Sequence, residues 1–252
     1  MTDDDWLDVL TTAVDGVVAV LDHHEDMTRA GHRDDQYAFD LTADAAVLEA
    51  IRGTGAGSFS EESGFVPPAS GSTDVVIIDP VDGSTNASMG IPHYATSLAV
   101  RDPDGIRVGL VVNLATSERF EATRGGGARR DGQAISPTSC KELSSAIVGL
   151  TGHPNRPMGW SQFRALGACA LDVSYVACGL LDAFADPLSG LGLWDYAAAH
   201  LIALEAGAVV GEVAERDLLH HDHAARRAPV YAATPELRHQ LLAAITDGEV
   251  LS

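Results

Sequence analysis

Four consecutive β-branched residues, Val75-Val76-Ile77-Ile78, run straight into Asp79-Pro80-Val81-Asp82-Gly83, and this junction sets the terms for the fold. The apolar run predicts a buried strand that delivers Asp79 to the carboxyl edge of a sheet. Pro80 is expected to stop the ladder, because it has no N–H to donate and its φ is fixed. If the chain turns there, Asp79 and Asp82 can converge on hard cations, which prefer oxygen ligands. Gly83 lets backbone come close to a bound group, and Ser84 or Thr85 can cap a short helix whose free N–H groups face an anion such as phosphate. Asp, Pro and Gly also build ordinary turns, so this stretch alone fits both readings. Two further stretches favour the cation site: Glu61-Glu62-Ser63-Gly64 upstream and Trp194-Asp195-Tyr196-Ala197-Ala198 far downstream.

Together the three stretches resemble the inositol monophosphatase family. Its pattern is an acidic pair, then Asp-Pro-hydrophobic-Asp-Gly-Thr/Ser, then Trp-Asp ahead of an alanine-rich helix. Arg124-Gly125-Gly126-Gly127-Ala128 with Asp131-Gly132-Gln133 is similar to the family's hairpin. Arg164-Ala165-Leu166-Gly167 through Gly179-Leu180-Leu181-Asp182-Ala183 is similar to its next strand and helix, so ordered matches run from about Asp40 to Val210. The chain departs from the pattern at Ser84, where many relatives have threonine, and at Phe39-Asp40-Leu41-Thr42-Ala43-Asp44, which only approximates the family's early motif.

The resemblance implies an α/β (α+β) chain folded as a layered α/β/α/β/α sandwich of the sugar phosphatase type, with the active site between two intimately packed lobes. It implies a Mg²⁺-dependent phosphatase hydrolysing a small polyol or sugar phosphate monoester of the inositol 1-phosphate type. Fructose 1,6-bisphosphate and then a nucleotide 3′-phosphate are the alternative substrates, and a catalytically inactive binding or regulatory protein is the alternative class. Carried over by position, Asp79 bridges two ions, Glu61 and the Val81 carbonyl complete the first site, and Asp82 and Asp195 hold the second. A third Mg²⁺ near Glu61 and Glu62 is a further implication, as is inhibition by Li⁺. Glu61 and Ser84 orient the attacking water, and the N–H groups of Gly83 and Ser84 hold phosphate oxygens. Arg164 and Asp186 are candidate substrate contacts, and the resemblance suggests a homodimer.

Composition narrows the partners. Thirty-six acidic residues against 16 basic ones give a formal charge of −20, and Lys141 is the only lysine. Nucleic acid and anionic membranes are repelled by such a surface. Strong salt tolerates the self-repulsion, since the Debye length falls to about 3 Å at 1 M, so a halophilic cytoplasm is expected. The N-terminus, Met1-Thr2-Asp3-Asp4-Asp5, is acidic where a leader would be basic. No apolar run reaches the roughly 18 residues of a membrane span, which points to a cytoplasmic location. Cys140, Cys169 and Cys178 form no Cys-x-x-Cys pair and read as reduced thiols, the latter two as packing residues. Asp217, His220, His221, Asp222 and His223 form a local cluster that reads as a solvated loop, because adjacent histidines carry no fixed geometry.

Periodicity predicts an amphipathic helix over 5–21 and a second over 44–51 capped by Thr42, with a polar loop over 23–39. Strands are expected over 96–100, 108–113 and 119–123. Beyond Lys141 the rhythm becomes strand, helix, strand, helix over 146–151, 167–179, 183–186 and 196–206. A boundary near residue 140 divides an N-terminal lobe (1–140), which carries most of the candidate ligands, from a C-terminal lobe (141–252), which supplies Asp195.

Overall fold

A computed structural model describes residues 1–23, 37–154 and 156–246, and most of the expected 23–39 loop lies outside them. The chain opens with helices α1 (Asp3–His23) and α2 (Ala38–Ile51). An eight-stranded sheet follows: β1 (Gly57–Ser60), β2 (Gly64–Val66), β3 (Val75–Asp82), β4 (Ala95–Asp102), β5 (Gly105–Asn113), β6 (Arg119–Thr123), β7 (Gly127–Arg130) and β8 (Gln133–Ala134). The short helix α3 (Ser84–Met89) lies between β3 and β4. The five-stranded sheet contains β9 (Ile147–Leu150), β10 (Gln162–Arg164), β11 (Ala183–Ala185), β12 (Val209–Glu212) and β13 (Pro229–Ala232). Helices α4 (Cys169–Ala177), α5 (Leu193–Ala206) and α6 (Pro235–Thr246) complete the described elements.

These elements stack as α/β/α/β/α. Val76 and Ile78 of β3 face one way, into the core made with α1 and α2 through Trp6, Leu10, Phe39 and Val47. Ile77 faces the other way, into a core shared with α4, α5 and one side of the small sheet. The far side of the small sheet packs on α6 through Leu237 and Leu241. The alanine-rich face of α5 lets it press closely on the large sheet, and a Cβ on Gly109 would stand 2.7 Å from the Ala198 carbonyl. Glu205 ties the far end of α5 to the glycine turn, accepting N–H bonds from Gly125 and Gly127.

Strand order in the large sheet is β2-β1-β3-β4-β5-β6-β7-β8, antiparallel throughout except for the parallel pair β1 and β3. That exception positions the site. Ser60 stands opposite Ile78, so the next residues, Glu61 just past the end of β1 and Asp79 within β3, come side by side.

Three local expectations are corrected. Pro80 does not end the strand: β3 continues to Asp82, and the pairing with β4 slips between Asp79 and Asp82, where Pro80 cannot donate. Thr42 does not cap α2 but lies inside it, its hydroxyl bonded to the Ala38 carbonyl. The cap interaction comes from Asp40, whose carboxylate accepts the Tyr37 N–H at 3.2 Å. Neither Ser84 nor Thr85 caps α3, because Gly83 occupies the cap position at φ 89°.

Candidate active site

Glu61, Asp79 and Asp195 each offer a carboxylate oxygen within 4.8 Å of the other two. They arrive from three directions: Glu61 from the end of β1, Asp79 from β3 and Asp195 from the first turn of α5. Asp195 is fixed by its own helix, since its Oδ2 accepts the Gly192 N–H at 2.6 Å. It therefore serves the helix terminus from the third helical position as well as facing the other two carboxylates.

Asp79 is 2 % exposed and its Oδ1 has no hydrogen-bond partner. Burial drives its carboxyl well above the ordinary range, and the nearby Glu61, Asp82 and Asp195 push the same way. Burial likewise raises Asp195 strongly, with Glu61 and Asp82 adding to it. A desolvated oxygen without a donor, among carboxylates that repel each other, fits a hard divalent cation, which removes both penalties at once.

Asp82 stands beside this trio with a second engagement. Its Oδ1 accepts the Cys169 N–H at 3.2 Å and its Oδ2 the Ala170 N–H at 2.6 Å, so it satisfies orphan donors at the start of α4. Burial still lifts Asp82 to about 8. Each of its oxygens keeps a second lone pair for a cation.

Ser84 bridges two acceptors. Its Oγ lies 2.9 Å from Asp40 Oδ1 and 2.7 Å from the Val81 carbonyl. Asp40 is buried, and that burial raises its carboxyl to about 7 against the Ser84 and Tyr37 bonds. Behind it, Ser60 Oγ donates to buried Asp44 at 2.5 Å. Gly83 sits against the second half of the chain: a Cβ there would meet the Gly167 carbonyl at 3.0 Å and the His93 carbonyl at 3.2 Å.

A cavity of about 190 Å³ opens from Asp82 and Asp195 toward Thr151, Gly152, Gly167 and Cys169. Asp186 is not presented to it. Its carboxylate is fully buried and staples its own loop, accepting the Leu188 N–H at 2.8 Å and the Gly190 N–H at 2.7 Å. Arg164 ends, and does not open, the exposed strand β10, where its guanidinium bonds Phe163 O and Gln162 Oε1. His223 is no solvated loop residue, since it is half-buried and bonded to the Ser60 carbonyl. The sequence reading did not single out Asp172. It is buried in α4 and paired with His93 at 3.0 Å, and a charged residue within an otherwise apolar helix was the available signal.

A family model described as the inositol monophosphatase family matches residues 4–249. The chain belongs to the inositol monophosphatase family. Membership supports a phosphatase. Among curated relatives, Nus factor SuhB of Escherichia coli K12 is 33 % identical over 190 residues, covering 69 % of this chain and 70 % of that protein. The solved inositol monophosphatase of Anabaena (Nostoc) sp. PCC 7120 superposes with a TM-score of 0.80 at 25 % identity, covering 97 % of this chain and 96 % of that one. A solved inositol monophosphatase-fructose 1,6 bisphosphatase shares the fold, with a TM-score of 0.83 at 24 % identity over 95 % of this chain and 99 % of that one. The layered sandwich expected from the motifs is thus the fold of the inositol monophosphatase family.

Proposed function

We propose that this member of the inositol monophosphatase family is a Mg²⁺-dependent phosphatase acting on a small polyol or sugar phosphate monoester, with inositol 1-phosphate foremost. One observation carries the reading: three carboxylates from three directions each offer an oxygen within 4.8 Å of the other two, and one of them, Asp79, is buried with its Oδ1 partnerless. In this reading Asp79, Glu61 and the Val81 carbonyl would hold one divalent ion, and Asp79, Asp82 and Asp195 would hold the other. Bound divalent ions supply a lowered pKa for water and positive charge against the phosphoryl oxygens.

The chain's own residues do the rest. Glu61 accepts the proton of the attacking water. The single Ser84 proton is shared between Asp40 and Val81 O, which leaves the Oγ lone pairs to accept a hydrogen bond from that water. Asp40 is thus a positioning residue, acting through Ser84. The N–H groups of Gly83 and Ser84 hold phosphate oxygens, and Arg164 contacts the distal part of the substrate. The division near residue 140 assigns Asp195 and the far cavity wall to the second lobe.

A second reading, a binding factor without turnover, is favoured by the name Nus factor borne by the Escherichia coli relative. The experiment measures phosphate release from inositol 1-phosphate, fructose 1,6-bisphosphate and 3′-phosphoadenosine 5′-phosphate, with and without Mg²⁺, at high KCl. Release that requires Mg²⁺, falls at least 100-fold in Asp82→Asn and is inhibited by LiCl at roughly tens of millimolar supports the enzyme. Equal release by wild type and variant, or none from either on any substrate, supports the binding factor.

A further inference from the structure

His223 lies far from every motif of the site in sequence, yet it touches the segments on both sides of it. Its Nε2 is 2.8 Å from the Ser60 carbonyl. A carbonyl only accepts, so the ring proton there belongs to Nε2. The next residue, Glu61, donates its own N–H to the Ile78 carbonyl at 3.1 Å. The peptide group joining Ser60 to Glu61 is therefore held at both ends, at C=O by His223 and at N–H by β3. Because the peptide is planar, those two bonds restrain its plane and with it the position of the Glu61 α-carbon from which the carboxylate side chain starts.

The same imidazole packs on Trp194, ring centroids 4.5 Å apart, and on Phe59 at 5.5 Å. Trp194 is 3 % exposed and immediately precedes Asp195. Arg226 completes the stack, its guanidinium 5.0 Å from the centre of the Trp194 ring and its Nη1 donating to the His223 carbonyl at 2.9 Å. One side chain thus joins the peptide before Glu61 to the residue before Asp195.

We propose that His223 is a positioning residue for the carboxylate cluster, setting the spacing of Glu61 and Asp195 through Ser60 and Trp194. The proposal rests on the reading of that cluster as a divalent-cation site. Groups that orient ligands in this way change metal affinity by about 10–100-fold when lost.

The test is Mg²⁺ binding by titration calorimetry on metal-free full-length protein, beside the thermal midpoint without metal. His223→Phe keeps the ring stack and removes the donor; His223→Gln keeps a donor and removes the ring. Expected for His223→Phe is roughly tenfold weaker Mg²⁺ binding with a metal-free midpoint within a few degrees of wild type, and partial recovery of affinity in His223→Gln. A merely structural residue would lower the midpoint and leave the affinity of the folded protein unchanged. Wild-type affinity in both folded variants overturns the proposal. If His223→Phe does not fold, His223→Gln decides alone, with wild-type affinity again overturning it. Absence of Mg²⁺ binding in the wild type itself overturns the cation-site reading and this proposal with it, whereas loss of binding in Asp79→Asn alone leaves that reading standing when His223 fails.

Discussion

Asp79 shows how a single carboxyl can cost stability when it serves a ligand. It is buried, one oxygen lacks a donor, and Glu61, Asp82 and Asp195 face it. Replacing it with Asn removes a desolvated, repelled charge while keeping shape. Asp79→Asn should therefore raise the metal-free Tm at pH 8 by several degrees and abolish both Mg²⁺-induced stabilisation and phosphate release; a lower metal-free Tm would show that the repulsion is already relieved. The same physics sets a pH dependence. Burial holds Asp40 at about 7 and Asp82 at about 8 in the folded chain, against 3.8 for the free side chain. Unfolding thus releases their protons above pH 4, and stability falls as pH rises until the folded groups also ionise near pH 8. Each tenfold preference for the protonated form is worth about 1.4 kcal/mol, which for a chain of this size is roughly 3–5 °C in Tm. Metal-free protein should accordingly melt several degrees lower at pH 8 than at pH 5.5, and saturating Mg²⁺, which favours the ionised forms, should flatten that slope. A metal-free profile that is flat or rising would contradict the burial of these groups.

The β3–α3 connection places most of the site, and its tolerance is narrow. Gly83 holds φ at 89°, a region that other residues enter at a cost, and its α-carbon faces backbone from His93 and Gly167. Gly83→Ala should cost roughly 1–3 kcal/mol and shift Asp82 and Ser84 relative to Asp79. Expected is a Tm drop of several degrees together with a loss of phosphate release larger than the unfolded fraction explains, measured at a temperature where the variant is folded. How far the sequence foretold this region depends on the kind of signal. The β-branched run, the helical periodicities of α1 and α5 and the turn glycines are local, and they were legible. Strands β1, β2, β12 and β13 were not, because each has at most four residues, too few for alternation to stand out, whereas the equally short β9 and β11 were legible through the strand, helix, strand, helix rhythm beyond Lys141. Asp186 and His223 were misread for one reason. Both belong to loops whose partners are set by tertiary packing, Asp186 turned inward on Leu188 and Gly190, His223 carried across to Ser60.

Two sheets and five layers enclose one continuous middle core, in which Ile77 and Phe120 of the large sheet share a cluster with Phe184 and Tyr231 of the small one. That core must hold against a formal charge of −20. Among the described residues, several of the exposed cations that could offset it are bound in local pairs such as Arg52–Glu49 and Lys141–Glu236, and Arg164 is taken up by Phe163 O and Gln162 Oε1. Pairs of that kind contribute about 0–1 kcal/mol each and weaken in salt. With 36 acidic residues against 16 basic ones, unpaired carboxylates outnumber such pairs, so screening should relieve more repulsion than it removes attraction. The Debye length contracts from about 10 Å at 0.1 M to about 3 Å at 1 M, which is shorter than the spacing of most surface charges. Tm should therefore climb by several degrees or more between 0.1 and 2 M KCl. A surface merely rich in acid but adapted to low salt would give a flat or falling curve over the same range. Sorbitol at equal osmolality separates charge screening from general solute exclusion: only the salt should produce the early rise below 1 M, where the Debye length changes most.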